Sequence, residues 1–322
     1  MQMLRIEAAR PSERAQVLRL ALGYLEGEEL ARRVAQAQML VSEGELEADG
    51  ILAAYIGQRM QGALVCALLA GAGGLVWPPF VRDVPERQSL EDQLLAAGCN
   101  WLRQRGARLA EALLGDREQP LSAALLRNGF QHMTQLIYLH HDLAPEEGVR
   151  GSQRTAAVDE AAVPASFRCV TFADADPQLF RDTLLKTYEG TLDCPELNGV
   201  RTIDEIIAGH RSQGRFDPAR WWLIETDSTA IGVIMLSEVP DLAGWDLSYV
   251  GVVPLARRQG WGRMLTQLAI RAAHAAEARQ LMVAVDARNQ PALNLYKSLG
   301  FKPHGQRDVY LSIWAPACQL VT

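Results

Sequence analysis

Apolar positions along this chain follow two rhythms, alternation and a three-to-four repeat, and the same succession of elements is read twice. LRIEAA, ILAAYIG, QGALVCALLAG and GGLVWPPFV are runs of β-branched, aromatic and small apolar residues that predict strands. Glycine-containing turns separate the last three. Pro11 to Leu30 is helical material rich in Leu, Ala, Glu and Arg, and LEDQLLAAGCNWLRQRG is a longer helix. The strand ARLAEALL, the short helix PLSAALLRNGF and the strand HMTQLIYLHHDL complete the first series. The second series has the strand FRCVTFA, the helix DPQLFRDTLLKTY, the loop GTLDCPELNGVRT and the helix IDEIIAGHRSQG. WWLIET, AIGVIMLSEVP and WDLSYVGVVP are its next strands. A helix follows with Met264, Leu265, Leu268, Ala269 and Ala272 on one face, then the strand QLMVAVDA and the helix NQPALNLYKSLGF.

The two series are copies at a fixed offset. Gly300-Phe301 and Gly129-Phe130 differ by 171 residues, and at that offset Gln290-Pro291 falls on Gln119-Pro120 and Ala278-Arg279 on Ala107-Arg108. This is a duplication of a domain, not a solenoid. The stretch after Asp142 is polar and alanine-rich without apolar period, which reads as a linker. The domains expected are therefore 1–142 and 166–322, joined by a linker over 143–165.

Composition narrows the class. A chain of 322 residues with 48% hydrophobic and 22% charged residues has material for two globular cores. A formal net charge of −6 argues against a nucleic-acid partner bound by broad electrostatics. No run of eighteen apolar residues suggests a membrane span, and MQMLRIEAARPSER lacks the basic and apolar regions of a signal peptide. Cys66, Cys99, Cys169, Cys194 and Cys318 form no C-x-x-C pair, and an odd number suits a disulfide framework poorly. A cytoplasmic, reduced protein is expected.

Chemistry concentrates between Trp245 and Phe301. The strand WDLSYVGVVP runs into ARRQGWGR and then a helix, an order that places unpaired N–H groups and the positive end of a helix dipole behind a glycine turn. Gly260 and Gly262 allow close backbone approach to a phosphate, and Arg257, Arg258 and Arg263 bring positive charge. Arg257-x-x-Gly260-x-Gly262, then Asn289-x-x-Ala292-x-x-x-Tyr296 and Leu299-Gly300-Phe301, together resemble the GCN5-related N-acetyltransferase (GNAT) superfamily. The resemblance implies an α/β (α+β) fold of two tandem GNAT-like domains, each a mixed, mostly antiparallel sheet flanked by helices, with the duplication resembling the mycothiol synthase type. It implies acetyl-CoA as co-substrate, no metal, and an amine acceptor.

Its site residues carry over onto matching positions. The pantetheine arm would lie along Gly251, Val252 and Val253, and the pyrophosphate on Arg257, Arg258, Gln259, Gly260, Trp261, Gly262 and Arg263, with Asn289 nearby. Tyr296 matches the acid that protonates the departing thiolate. Asp246 stands on the strand where relatives often carry a glutamate base, and strand parity puts it with Ser248, Val250 and Val252; an exposed strand-end carboxylate is the plainer reading, and Glu238 the substitute. Asp193, Glu196 and Asn198 lie in the loop that resembles the acceptor pocket of such enzymes, although loops of this composition are commonly turns. At the offset of 171, Arg257, Gly260 and Gly262 fall on Glu86, Ser89 and Glu91, so the first copy is expected to be degenerate, with carboxylates disfavouring CoA.

Other residues have plainer readings. His140 and His141 point to opposite strand faces and make no metal pair. Cys194 has no histidine beside it in sequence and is no covalent nucleophile. The expected function is acetyl transfer from acetyl-CoA to a small-molecule amine by direct attack in a ternary complex. The alternatives are a non-catalytic acyl-CoA sensor or scaffold, and a protein N-acetyltransferase. The acceptor, acyl length and oligomeric state are not legible.

Overall fold

A computed structural model describes residues 3–143 and 166–314 of the chain. The linker expected over 143–165 lies, apart from Leu143, outside the described residues, as does Cys318. The chain forms two compact units: residues 3–134, 199–201 and 307–314 in one, and 135–143, 166–198 and 202–306 in the other. Among the described residues no helix is long and apolar enough to cross a membrane.

The first unit contains β1 (Leu4–Ala8), α1 (Arg14–Ala21), α2 (Gly27–Glu43), β2 (Ile51–Ile56), β3 (Arg59–Leu69), β4 (Gly73–Val81), α3 (Arg87–Gln104), β5 (Leu109–Leu114) and α4 (Ser122–Arg127). Its sheet runs β1-β2-β3-β4-β5, with residues 308–313 of the last strand antiparallel to β5. Only β4 and β5 are parallel, and for only three pairs, Gly73 with Leu109 to Leu75 with Glu111. Period two explains why β2 is apolar throughout: Ile51, Ala53 and Tyr55 meet α1 and α2, while Leu52 and Ala54 face α3. Where one helix was expected over Pro11 to Leu30 there are two, broken at Gly23. The break spans Leu22 to Glu26, and a Cβ at Gly23 would stand 2.5 Å from the Phe80 ring, so any side chain there would have to push that ring aside.

The second unit contains the residues of β6 (Gln131–Asp142) from 135 onward, β7 (Arg168–Thr171), α5 (Pro177–Tyr188), α6 (Ile203–Arg211), β8 (Arg215–Thr226), β9 (Thr229–Val239), β10 (Gly244–Val252), α7 (Trp261–Ala275), β11 (Gln280–Asp286) and α8 (Gln290–Ser298). Its sheet runs β7-β8-β9-β10-β11-β6, all antiparallel except β10 with β11. α5 and α6 cover one face through Phe180, Leu184, Trp221 and Val233, and α7 and α8 cover the other through Leu265, Ala269, Leu281 and Tyr296. Each unit is thus the mixed, mostly antiparallel, helix-flanked sheet that the resemblance implies.

Two details depart from the apolar pattern. The buried stripe of α7 is Leu265, Thr266, Ala269, Ile270 and Ala273, turned by about one position from the one expected. Thr266 joins it because its hydroxyl donates to the Gly262 carbonyl at 2.8 Å, which satisfies a polar group that hydrophobicity alone would keep outside. The strand β12 (Lys302–Ile313) was not expected; its first five residues are exposed and include Pro303 and Gly305, and only Val309 to Ser312 carry a buried run.

Candidate active site

The site is a wedge in the second unit's sheet. β10 and β11 pair at three positions, Gly244 with Gln280 to Asp246 with Met282, and then part. On the other edge β10 keeps β9 as far as Val252, but a bulge at Ser248 shifts its register. The simple parity expected for Asp246, Ser248, Val250 and Val252 is therefore interrupted at Ser248. Between the parted strands lies a cavity of about 500 Å³, walled by Leu247 to Val252 of β10 and Val283 to Val285 of β11. The end of α5, the loop at 190–193, the glycine turn and one side of α8 complete its walls.

Past its pairing with β11, the edge of β10 turns main-chain groups to the wedge, and Val252 O among them accepts from Arg257 Nε. Val253 N–H donates to the Ile231 carbonyl at 2.9 Å, and the Gly251 carbonyl points at Gly232, so both residues turn toward β9. Alternation leaves the main-chain groups of Val250 and Val252 toward the wedge. Gly251 itself answers to packing, since a Cβ would stand 2.6 Å from Thr187 Cβ.

The glycine turn is formed as its residue types require. Gly260 has φ of +90° and caps α7, with nothing within 4 Å of where a Cβ would be. Gly262 and Arg258 line the cavity, Arg258 itself at a φ of +63°. Arg257 also borders the cavity, and its guanidinium is engaged by protein: Nε donates to Val252 O at 3.0 Å, Nη2 to Thr187 O at 2.9 Å and Nη1 to Gly190 O at 3.3 Å. It ties the turn, α5 and the following loop together. Gln259 donates to Leu255 O, Arg263 to Ser298 Oγ, and Trp261 stacks on Phe167 with centroids 6.1 Å apart. Asn289 accepts from Ala292 N at 3.3 Å as the cap of α8, and Pro291 follows in its first turn.

Tyr296 is 5% exposed and faces the cavity from α8. Burial drives its phenol well above the ordinary range, helped by the negative charges of Asp193 and Asp246. Asp246 lies just beyond the cavity lining; burial raises its carboxyl to about 6 against the opposing hydrogen bond of the Ser248 hydroxyl. Tyr249, which the sequence reading passed over, lines the cavity with its hydroxyl 2.8 Å from Thr187 Oγ1. Its ring lies 5.1 Å from that of Tyr188 and 5.3 Å from His210, and Tyr188 Oη is 3.0 Å from His210 Nε2.

The loop at 190–198 is fastened to the end of β11. Asp193 Oδ1 accepts from Asp286 N at 2.7 Å, and Asp286 Oδ2 accepts from Cys194 N at 3.0 Å. Arg288 donates to both oxygens of Glu196, at 2.6 and 2.9 Å, and to Asp286 Oδ2 at 2.7 Å. Asn198 donates to Tyr188 O at 3.2 Å. Glu196 and Asn198 thus have protein partners, while Asp193 borders the cavity. Burial raises the Asp193 carboxyl and the Cys194 thiol, and Arg288 holds Glu196 below the usual range. Donor atoms of Asp193, Cys194 and Asp286 lie within 4.8 Å of one another. Asp286 and Arg288 escaped the sequence reading because nothing local in VDARNQ distinguishes a buried network carboxylate from a strand-end turn.

Of the residues expected at the site, the cavity brings together Tyr296, Gly251, Val252, Arg257, Arg258, Gly262, Asn289 and Asp193. Asp246, Val253, Gln259, Gly260, Trp261, Arg263, Glu196 and Asn198 are not part of its wall.

With this geometry in hand, known proteins give a consistent match. Residues 186–301 match the model of the acetyltransferase (GNAT) family. A mycothiol acetyltransferase of Thermomonospora curvata is 30% identical over 192 residues, 55% of this chain and 63% of that protein. Another, of Beutenbergia cavernae, is 29% identical over 209 residues, 62% of this chain and 68% of its own length. The match thus spans less than two thirds of the first of these relatives. A GCN5-related N-acetyltransferase from Sphaerobacter thermophilus superposes over 99% of this chain and 98% of its own, with a TM-score of 0.58 and 15% identity. A tandem GNAT protein from the clavulanic acid biosynthesis pathway covers 98% and 99%, with a TM-score of 0.52 and 16% identity. At such identities the two structures speak for the fold alone.

Proposed function

Since the chain belongs, through residues 186–301, to the GNAT superfamily, in its tandem form, we propose that its second unit transfers an acetyl group from acetyl-CoA to the amine of a small molecule. The observation that carries this reading is the wedge: one cavity joins a glycine turn at a helix N-terminus, an open strand edge and the buried phenol of Tyr296. The amides at the start of α7 and the space beside Gly260 suit a pyrophosphate, and Arg258 adds charge there. The open-edge amides of Val250 and Val252 suit a pantetheine arm and the oxyanion of a tetrahedral intermediate.

Once neutral, the acceptor nitrogen attacks the thioester carbonyl, the C–S bond breaks, the adduct nitrogen gives up one proton to water and the departing thiolate takes one from water. A free alkylamine is protonated at neutral pH, with a pKa near ~10.4, so a base must act. Asp246, at about 6, is ionised at neutral pH and basic enough to accept through water. Tyr296, raised by burial, stays protonated; full transfer to a thiolate of lower basicity is uphill. Its role is to donate a hydrogen bond to the leaving sulfur as charge develops. The mycothiol acetyltransferase relatives favour a small-molecule acceptor over a protein.

The test is turnover of acetyl-CoA over a library of small amines, read by release of free thiol, with Tyr296→Phe beside it. The reading requires acceptor-dependent thiol release that the variant loses. Binding of acetyl-CoA with no turnover for any amine would leave the chain a thioester-binding scaffold.

A further inference from the structure

The first unit keeps a wedge of its own. The three parallel pairs of β4 with β5 stand 171 residues before those of β10 with β11, residue for residue. Beyond them the strands part in the same way, and a cavity of about 300 Å³ lies between α1, α2 and the sheet. What differs is the phosphate end. Position 260 is a left-handed glycine cap, whereas its counterpart Ser89 lies inside α3, which already starts at Arg87. Helix has replaced the turn that would wrap a pyrophosphate. Glu91 there is buried and held by Arg87 at 2.9 Å and Arg127 at 2.8 Å, so the carboxylate expected to repel phosphate is already paired.

The remaining cavity has a mixed character. Leu22, Leu40, Val65, Trp77 and Leu113 make apolar walls. At one end Glu118 accepts from Gly115 N at 3.0 Å, from Arg307 Nη1 at 3.2 Å and from the Tyr24 hydroxyl. A Cβ at Gly115 would stand 2.2 Å from Arg307 Nη1, so a larger residue there would move that guanidinium. Arg33 also lines this end, with no salt bridge or hydrogen bond to any described residue. Two guanidinium groups thus face one carboxylate, and one positive charge is left over beside an apolar chamber.

We propose that this cavity binds a small organic carboxylate, its apolar body against Trp77 and Leu113 and its carboxylate on Arg33. The volume is at the small end for ligand sites and holds a body of aromatic-acid or medium-chain-acid size, not a nucleotide. A cationic ligand is disfavoured by the same excess of arginine. The assignment concerns the first unit only and stands whether or not the second unit proves to be an acetyltransferase.

The experiment is calorimetric titration of the full chain with 3-phenylpropanoate, indole-3-acetate and hexanoate, each beside its uncharged amide. At least one acid should bind at a single saturable site with a Kd below about 1 mM, and its amide should bind roughly tenfold or more weakly, the loss of one charge-assisted hydrogen bond. Arg33 is exposed on α2, so Arg33→Ala should fold normally and lose affinity by the same factor. Ala37→Trp, which fills the cavity from the half-buried side of α2, should abolish binding while acetyl-CoA binding stays as in the parent. The proposal is wrong if no acid saturates, if binding survives both variants unchanged, or if acetyl-CoA displaces the acid, which would make the wedge a second thioester site.

Discussion

Asp193 and Asp286 are joined across the mouth of the cavity: the Asp193 carboxylate accepts the Asp286 main-chain N–H at 2.7 Å, and the Asp286 side chain is fully buried. Two carboxylates so close need a cation, and Arg288 supplies it from two residues away while gripping Glu196 with its other edge. The loop bordering the cavity is therefore tied to β11 by hydrogen bonds and ion pairs.

Arg288→Ala should destabilise the second unit by about 1–3 kcal/mol. Removing one partner of a buried ion pair leaves the other charge uncompensated, and the partial exposure of Arg288 reduces the full penalty. Urea unfolding measures this, and Asp286→Asn in the same chain should recover part of the loss. A change within about 0.3 kcal/mol would show that the network holds nothing.

Asp246 makes a statement about pH. Its carboxyl is raised from 3.8 to about 6 by burial, so the folded state favours the protonated form. The stabilisation is complete below about 3.8 and is lost as pH rises through about 6. Asp246→Asn, neutral at every pH, should thus be more stable than the parent at pH 7.5, by up to about 3 kcal/mol, and equal to it near pH 4. Activity runs the other way. In the parent, kcat/KM should fall on the acid side with an inflection near 6, and the variant should lack that inflection and be slower at every pH. An unchanged profile in Asp246→Asn would remove it from the chemistry.

Tyr296→Phe should lower kcat by roughly 10²-fold with acetyl-CoA affinity within about twofold of the parent. Its ring carries the packing against Phe301, at 5.3 Å, and the ring remains. Thermal unfolding should therefore shift little. Stopped-flow turnover at the parental rate would make Tyr296 a packing residue.

Gly260 separates backbone strain from charge. Nothing stands within 4 Å of its missing Cβ, so Gly260→Ala meets only the cost of φ at +90°, about 1–2 kcal/mol. Gly260→Glu adds a negative charge at the start of α7, which suits the helix dipole but repels a pyrophosphate. Calorimetry should find acetyl-CoA binding weakened by roughly tenfold or more beyond the alanine variant. Equal affinities in the two variants would mean that no phosphate group lies there.

Most elements of both copies were legible because alternation and helical period act locally, and the glycine turn was legible because glycine adopts the φ of +90° at Gly260 without strain. The duplication was legible for a similar reason: Gln119-Pro120 and Gln290-Pro291 start equivalent helical turns under the same backbone constraint. What the sequence by itself determined is thus most of the strands, the glycine turn at Gly260 and the order that resembles a CoA-binding turn; β12, its first five residues exposed, was not among them. Tertiary structure decided the rest. Residues 308–313 complete the first unit's sheet and residues 136–142 the second's, an assignment that depends on which edge is open and that no local pattern encodes. It also bent β10 at Ser248, gave Arg257 to three carbonyls, and brought Asp193, Asp286 and Arg288 together over more than ninety residues. Burial and pairing are properties of neighbours in space, and they alone decide whether a carboxylate titrates near 6 or is fixed as a charge.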